Sequence, residues 1–185
     1  TTRTIETNSN DNLLAINEKV SSTRTLNNIV VFIEFNDSDT NVINHLDDKE
    51  CVENANTIYN SDELFEMDTI NGIIKVPSMK KYFERESYGK LSIITKIFPK
   101  IDGKVVSYKD SHPIAYYLKY SDKNKVGYKN QTEALEREKE LLDNAVGFIS
   151  SQVEAELTSS QIDTDNNGDI DAIAFIIEGQ KNLAE

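Results

Sequence analysis

Two short apolar runs, at residues 29–35 and 170–177, constrain the fold of this chain most strongly. Apart from Glu34 and Asp171, they consist of aliphatic, β-branched or aromatic residues. Such runs are typical of strands, and neither approaches the length of a membrane span. A strand that is apolar on both faces needs cover on both sides. We therefore expect both runs to lie centrally in one sheet that is flanked by helices.

Helical patterns lie between the two runs. Ser78, after Pro77, has the character of an N-cap, and Gly89 supplies a left-handed end to the same helix. Apolar positions recur three, four or seven apart from Thr132 to about Leu157, which predicts the longest helix. The apolar stripe predicted for the first helix is Met79, Tyr82 and Phe83. The stripe predicted for the second is Leu135, Leu142, Val146, Ile149, Val153 and Leu157.

Extended patterns complete the order of elements. Residues 91–98 predict a strand, Asp102 and Gly103 a turn, residues 105–108 a returning strand, and residues 70–76 a short strand. The tyrosine-rich residues 109–131 are predicted to be a loop pinned onto the surface by its aromatic side chains. This order predicts an α/β (α+β) domain with a mixed sheet and flanking helices.

The segment 163–171, which directly precedes the second apolar run, has the spacing of a calcium-binding loop. Oxygen-bearing side chains recur at alternate positions, and Gly168 occupies the sixth position, where such loops turn sharply. Calcium takes six to eight oxygen ligands. The candidate ligands, all oxygen donors, are Asp163, Asp165, Asn167, Asp169 (through its backbone carbonyl) and Asp171.

The loop is incomplete as an EF-hand. Its twelfth position is Ala174 rather than a bidentate glutamate, and a strand rather than a helix follows it. The missing ligands must therefore come from water or from elsewhere in the fold, and Asp37, after the first strand, is the residue we nominate for that role. The alternatives are an acidic surface turn that binds nothing at 163–171 and a solvated strand end at Asp37.

Charge and composition exclude several classes of partner. The 185 residues carry 20 basic and 32 acidic side chains, a net charge of −12, which argues against nucleic acid or an anionic membrane as partner. Cys51 is the single cysteine and cannot form an internal disulfide. His45 and His112 each lack a second histidine at helical spacing, so neither forms a metal site by itself. A millimolar calcium site is most useful outside a cell, which favours an extracellular location.

Three segments resemble, in the same order, the immune-inhibitor-A-type secreted zinc metallopeptidases. They are residues 30–37, residues 81–93 and residues 162–179, and the most specific motif is Glu-Ser-Tyr-Gly-Lys-Leu at 86–91. The resemblance covers roughly residues 28–179. It implies a metzincin-like catalytic domain, a secreted bacterial enzyme, zinc for catalysis and calcium for structure. The domains it implies are 1–26 as a lead-in or propeptide remnant, 27–180 as the N-terminal part of the metallopeptidase-like domain, and 181–185 as a tail.

One departure from the family decides what this chain can do. The family holds its zinc with His-Glu-x-x-His on a helix that follows the strand matching residues 170–177, and no such motif occurs among these 185 residues. We therefore expect this chain to be one part of a zinc-dependent metalloendopeptidase, and we expect that part to be inactive alone. The full-length parent would act on a protein or peptide substrate, and no catalytic residue is assigned here. The alternatives are a non-catalytic calcium-binding extracellular adhesion or scaffold module and a degenerate peptidase relative kept for binding.

Overall fold

A computed structural model describes residues 23–38 and 49–179 of the chain. Its strands are β1 (Arg24–Glu34), β2 (Phe65–Thr69), β3 (Gly72–Val76), β4 (Leu91–Phe98), β5 (Lys100–Ile101), β6 (Lys104–Val105), β7 (Tyr108–Lys109) and β8 (Ile173–Ile177). Its α-helices are α1 (Lys49–Asn60), α2 (Met79–Glu86), α3 (Gln131–Glu156) and α4 (Ser159–Ile162), and a 3-10 helix spans Ile114–Tyr117.

The main sheet is built around β1. β4 pairs with β1 from Arg24 to Val31, β7 pairs with its last two residues, and β8 pairs with it from Ile29 to Ile33. All three pairings are parallel. The antiparallel pairs of the described residues, β2 with β3 and β5 with β6, are separate two-stranded hairpins. The expected mixed sheet is therefore corrected to a parallel main sheet, because each of its strands returns through a helical or looped crossover.

The core has two layers because the side chains of β1 alternate between the two faces of the sheet. Ile29, Val31 and Ile33 pack against α3, and the adjacent Val30 and Phe32 form a second cluster on the α1 side. The five side chains have at most 1% of their surface exposed. Such complete burial explains why the sequence of β1 is apolar on both faces. The buried residues of α3 are Leu141, Ala145, Ile149 and Val153.

Several predicted elements are confirmed by the structure. β4 coincides with the predicted strand 91–98, and α3 lies within one residue of the predicted helix at each end. The hydroxyl oxygen of Ser78 accepts a hydrogen bond from the backbone N–H of Lys81 at 3.0 Å, as an N-cap does. Gly89 has φ +74°, the left-handed conformation that ends α2.

Other predicted details are wrong. β1 begins at Arg24, inside the segment expected to be a lead-in, whereas the short strand predicted at 70–76 is confirmed as β3, which begins at Gly72 and pairs with β2. Leu135 has 55% of its surface exposed because it precedes the part of α3 that packs on the sheet, and Tyr82 and Phe83 are also exposed. α1 was not predicted at all. The lead-in residues 1–22, His45 and the tail 181–185 lie outside the described residues.

The parallel sheet has two distinct edges, which we call the amino edge and the carboxyl edge. Parallel strands all begin at the first and end at the second, so Arg24 lies at the amino edge and Glu34 at the carboxyl edge. Since a strand rises about 3.3 Å per residue, β1 places the two edges roughly 30 Å apart. None of the helices in the described part of the chain combines the length and the apolar character that a bilayer crossing requires.

Candidate metal centre

The aspartate loop, residues 163–171, lies at the amino edge between α4 and β8. Thr158 and Gln161 form a capping box that starts α4, and the backbone N–H of Asp163 donates to the carbonyl of Ser159 at 2.9 Å to close it. At the other end of the loop, the N–H of Asp171 donates to the carbonyl of Ile162 at 2.7 Å. The two ends of the loop are therefore tied together before β8 begins.

Backbone N–H groups fold the loop around its own carboxylates. The two carboxylate oxygens of Asp163 accept from the N–H groups of Asn167 at 3.0 Å and Gly168 at 2.9 Å. The side-chain oxygen of Asn167 accepts from the N–H of Asp169 at 2.8 Å. Asn166 and Gly168 have φ of +59° and +95°, conformations that asparagine and glycine adopt more easily than other residues. These bonds and dihedral angles give the loop a defined shape without any ion.

Three of the five predicted ligands converge. One carboxylate oxygen from each of Asp163, Asp165 and Asp171 lies within 4.8 Å of the other two. Calcium–oxygen distances are about 2.3–2.6 Å, so two oxygens bound to one ion are at most about 5 Å apart. The three carboxylates can therefore share one calcium ion. Three negative charges at this separation also repel one another, so a cation at their centre would relieve that repulsion.

Asp171 is held by donors that sequence reasoning missed. Its Oδ2 accepts from the backbone N–H of Thr164 at 3.0 Å and from the Thr164 hydroxyl, and the guanidinium of Arg24 lies 3.5 Å away. The hydrogen bonds from Thr164, followed by the charge of Arg24, lower the pKa of the Asp171 carboxyl. Arg24 was not predicted because it is more than a hundred residues from the loop and reaches it only through the pairing of β1 with β8.

The side chains of Asn167, Asp169 and Asp37 do not join the three carboxylates. The side-chain amide of Asn167 donates to Asp165 at 3.1 Å while its oxygen accepts from Asp169, so this side chain is used inside the loop. Asp169 was predicted to act through its backbone carbonyl, and its side chain is outside the group of three. Asp37 follows β1 at the carboxyl edge, where its carboxylate accepts from the N–H of Ile114 at 2.9 Å. Asp37 is therefore too distant to complete this site.

Apolar side chains on both flanks anchor the loop to the core. Ile162 and Ile170 pack against the cluster between β1 and α3. They also line a small groove of about 120 Å³ together with Ile29, Val146, Ile149 and Val153. The loop is thus attached to the core at both ends, with Asp165 exposed and Asp163 and Asp171 partly buried.

A second aspartate lies at the carboxyl edge in a very different setting. Asp110, directly after β7, has 1% of its surface exposed. Its carboxylate accepts from the hydroxyl of Tyr117 at 2.9 Å, from the backbone N–H of His112 at 2.7 Å, and contacts Nδ1 of His112 at 3.2 Å and the hydroxyl of Tyr108 at 3.4 Å. Burial, and then the bond to Asp110, raise the pKa of Tyr117. We call these four residues the Asp110 cluster.

The loop that follows the Asp110 cluster is pinned as the tyrosine content predicted. The ring of His112 stacks on Tyr116 with centroids 4.1 Å apart, and the guanidinium of Arg137 lies 3.7 Å from the Tyr116 ring. Arg137, on α3, also donates to the carbonyls of Tyr116 and Val126. Gly127 packs so tightly that a Cβ there would lie 2.3 Å from the carbonyl oxygen of Leu118.

Neither cluster can be assigned through a relative. Protein-family models and curated proteins were compared with this chain, and none of either kind matches it.

Proposed function

We propose that this chain is a calcium-stabilised part of a secreted zinc-dependent metalloendopeptidase, namely the part that precedes the zinc-binding helix. The observation that carries the proposal is the convergence of Asp163, Asp165 and Asp171 to within 4.8 Å on a loop shaped by its own N–H groups. The sequence resemblance of residues 30–37, 81–93 and 162–179 supports the peptidase assignment. A metzincin-like architecture and a bacterial, extracellular location of the parent belong to the same proposal.

Calcium would act here as a structural ion. The three carboxylates, the carbonyl of Asp169 and water molecules can supply the oxygens that calcium requires. A bound ion would neutralise carboxylates from both ends of the loop and so hold α4 to the start of β8. Because β8 pairs with β1 along five residues, stabilising its start stabilises the central strand as well.

The sequence lacks the His-Glu-x-x-His motif, and the described residues do not form a catalytic zinc site. His112 is engaged with Asp110 and stacked on Tyr116, and the sequence has no second histidine four residues away. A catalytic zinc normally has three protein ligands and an open position for water. We therefore assign no step of peptide hydrolysis to these residues. The zinc and its glutamate would belong to the parent protein, after the end of β8.

The second candidate is a non-catalytic calcium-binding extracellular adhesion or scaffold module. The lack of His-Glu-x-x-His and the net charge of −12 favour it, whereas the resemblance at residues 86–91 favours the peptidase. Both candidates predict that calcium binds and stabilises the chain. They make opposite predictions about whether the gene encodes a zinc-binding helix after Glu185. A His-Glu-x-x-His helix encoded within about a hundred codons after Glu185 supports the peptidase, and its absence there supports the module.

Thermal and chemical unfolding with and without calcium test the structural role. If the dissociation constant is about 10 μM, about 1 mM calcium should raise the free energy of unfolding by roughly 2.7 kcal/mol. Asp163→Ala and Asp165→Ala should each abolish most of this gain. Asp169→Ala is the matched control, because the proposal uses only its backbone carbonyl, and it should keep most of the gain. Identical unfolding curves in calcium and in chelator would contradict a calcium site.

A peptidase assay tests the expectation that the 1–185 chain is inactive by itself. The purified 1–185 chain should hydrolyse no peptide in the presence of zinc, while a longer chain that includes the zinc helix should be active and chelator-sensitive. Zinc-dependent hydrolysis by the 1–185 chain would show that the assignment of the catalytic residues to another part of the parent is wrong.

A further inference from the structure

Two Asn-Gly dipeptides occur in this chain, and the fold places them in different settings. They are Asn71-Gly72 and Asn167-Gly168. Asn-Gly is the pair most prone to deamidation, because glycine has no side chain to hinder the attack of its backbone nitrogen on the preceding side-chain amide. All four residues are exposed, so water reaches both dipeptides. Exposure alone therefore predicts that both asparagines react.

The Asn71 dipeptide lies at the tip of the β2–β3 hairpin. The register pairs Thr69 with Gly72, so Ile70 and Asn71 make a two-residue turn. The backbone N–H of Asn71 lies 3.3 Å from the hydroxyl of Thr69, and its side-chain amide has no hydrogen bond among the described residues. Within the same residues, β2 and β3 pair only with each other. Since an isolated two-stranded hairpin is only marginally stable in water, this turn opens readily.

The reacting atoms of the Asn167 dipeptide are held by hydrogen bonds. The attacking nitrogen, that of Gly168, donates its N–H to Asp163 at 2.9 Å. The departing Nδ2 of Asn167 donates to Asp165 at 3.1 Å, and Oδ1 accepts from the N–H of Asp169 at 2.8 Å. The attacking nitrogen must also lose its proton, and the neighbouring carboxylate opposes the negative charge that results. Hydrogen bonds and charge therefore both oppose the reaction at Asn167.

We propose that Asn71 is a site of spontaneous deamidation in the folded chain, and that the aspartate loop protects Asn167 from the same reaction. The backbone nitrogen of Gly72 gives its proton to solvent and bonds to Cγ of Asn71, while the Cγ–Nδ2 bond breaks and ammonia leaves with one added proton. Water then opens the succinimide at either carbonyl, which yields aspartate or isoaspartate. No group is oxidised or reduced, and the product carries one more negative charge than the original chain.

The modified chain should keep its fold. Among the described residues, the two core clusters contain none from β2 or β3, and Ile73 and Ile74 are exposed. A carboxylate at residue 71 is solvated, and isoaspartate lengthens the backbone only within the turn. The reaction should therefore accumulate an acidic, folded form of the chain as the protein ages.

Peptide mass spectrometry of the whole chain, aged at mildly alkaline pH in chelator, tests both halves of the proposal. Asn71 should deamidate about ten- to a hundredfold faster than Asn167, which is the factor that a hydrogen bond to a charged group supplies. In concentrated urea the two rates should become similar, because the fold no longer separates the two sites. Equal rates in the folded chain, or an unchanged ratio in urea, overturn the proposal.

Variants assign the reaction and the protection to particular residues. Asn71→Gln should abolish the acidic form, because the larger ring forms far more slowly, whereas Asn54→Gln, at an exposed position on α1, should not. Asp163→Ala removes the acceptor of the Gly168 N–H and should speed the reaction at Asn167 about tenfold or more. Asp169→Ala keeps its backbone N–H and should change that rate far less. An acidic form that persists in Asn71→Gln, or an unreactive Asn167 in Asp163→Ala, overturns the corresponding half.

Discussion

The two edges of the sheet each hold an aspartate-centred cluster, and the two clusters are satisfied in opposite ways. At the carboxyl edge, one buried carboxylate has protein donors for both of its oxygens: two tyrosine hydroxyls, a histidine ring and a backbone N–H. At the amino edge, three carboxylates converge on a surface loop, two of them partly buried, and among the described residues the positive charge of Arg24 lies beside Asp171 alone. The carboxylate of the first cluster has its hydrogen-bond partners within the protein, whereas the second cluster has more negative charge than the described residues neutralise.

This difference indicates where each part of the fold obtains its stability. A buried carboxylate is tolerated only when its partners are present, because an unpaired buried charge is costly. Exposed carboxylates are solvated by water, so a loop can keep several of them at little cost and take a cation from solution. The carboxyl edge should therefore depend on side chains, and the amino edge on calcium and salt.

Removing the buried aspartate should have the largest effect. Asp110→Ala leaves the hydroxyl of Tyr117 and the N–H of His112 without their acceptor, and we expect it to lower the free energy of unfolding by about 3 kcal/mol. Asp165→Ala in chelator should change it by no more than about 0.5 kcal/mol, because the side chain is at the surface. Urea unfolding at neutral pH measures both. Equal losses would show that the two clusters do not differ in the way proposed.

Close packing after the Asp110 cluster should produce the next largest effect. In Gly127→Ala the new Cβ would meet backbone atoms of Leu118 and Lys119, which cannot move aside as a side chain can. We expect a loss of about 2 kcal/mol. Gly147→Ala is the matched control, because nothing lies within 4 Å of its Cβ on the exposed side of α3. That change should instead stabilise the chain by about 0.5–1 kcal/mol. If Gly127→Ala left the free energy of unfolding unchanged, the loop would be loosely packed at this position.

The sequence predicted the aspartate loop at the amino edge but not the Asp110 cluster at the carboxyl edge, for a physical reason. The aspartate loop is local, since its ligands and its glycine lie within nine residues, and their spacing alone indicates how they converge. The Asp110 cluster joins residues 108–117 to the end of β1, and Asp110 in the sequence resembles any polar residue after a strand. Arg24 near Asp171 was invisible for the same reason, because only strand pairing brings them together.

The same contrast explains the errors in the fold. β4 and α3 were predicted almost to the residue because periodicity within one element is a local property. β8 was expected at the centre of the sheet, yet among the described residues it pairs only with β1. An apolar run indicates that both faces of a strand are covered, but it does not distinguish a central strand from an edge strand, because lateral pairing uses backbone groups.

Alkaline pH should lower the stability that the Asp110 cluster gives to the carboxyl edge. The pKa of Tyr117 is raised by burial and then by its hydrogen bond to Asp110, so the folded state keeps a proton that the unfolded state loses above about pH 10. Below about pH 10, Tyr117 makes its full contribution to the free energy of unfolding. Above it, the contribution falls by up to about 1.4 kcal/mol per pH unit, until the folded state also loses the proton.

Unfolding measurements between about pH 9 and pH 11.5 check this behaviour. The difference between the wild type and Tyr117→Phe should shrink as pH rises, because the phenylalanine variant has no proton to lose at this position. Tyr88→Phe, at a position that is 92% exposed, is the control and should follow the wild type at every pH. A constant difference between wild type and Tyr117→Phe would show that the hydroxyl of Tyr117 is not buried against Asp110.

Changing Arg24 should have the smallest effect and bears most directly on the amino edge. Its guanidinium, 3.5 Å from Asp171 and largely exposed, competes with a cation for that carboxylate. An exposed ion pair is worth about 0.2–1 kcal/mol, so Arg24→Gln should raise calcium affinity by about 1.5- to 5-fold. Arg85→Gln, which removes an equally exposed charge beside Glu86, is the control. The gain should fade at high salt, where the guanidinium is screened. A lower affinity in Arg24→Gln would instead mean that Arg24 shapes the loop through Thr164, and that the amino edge, like the carboxyl edge, depends on a partner within the protein.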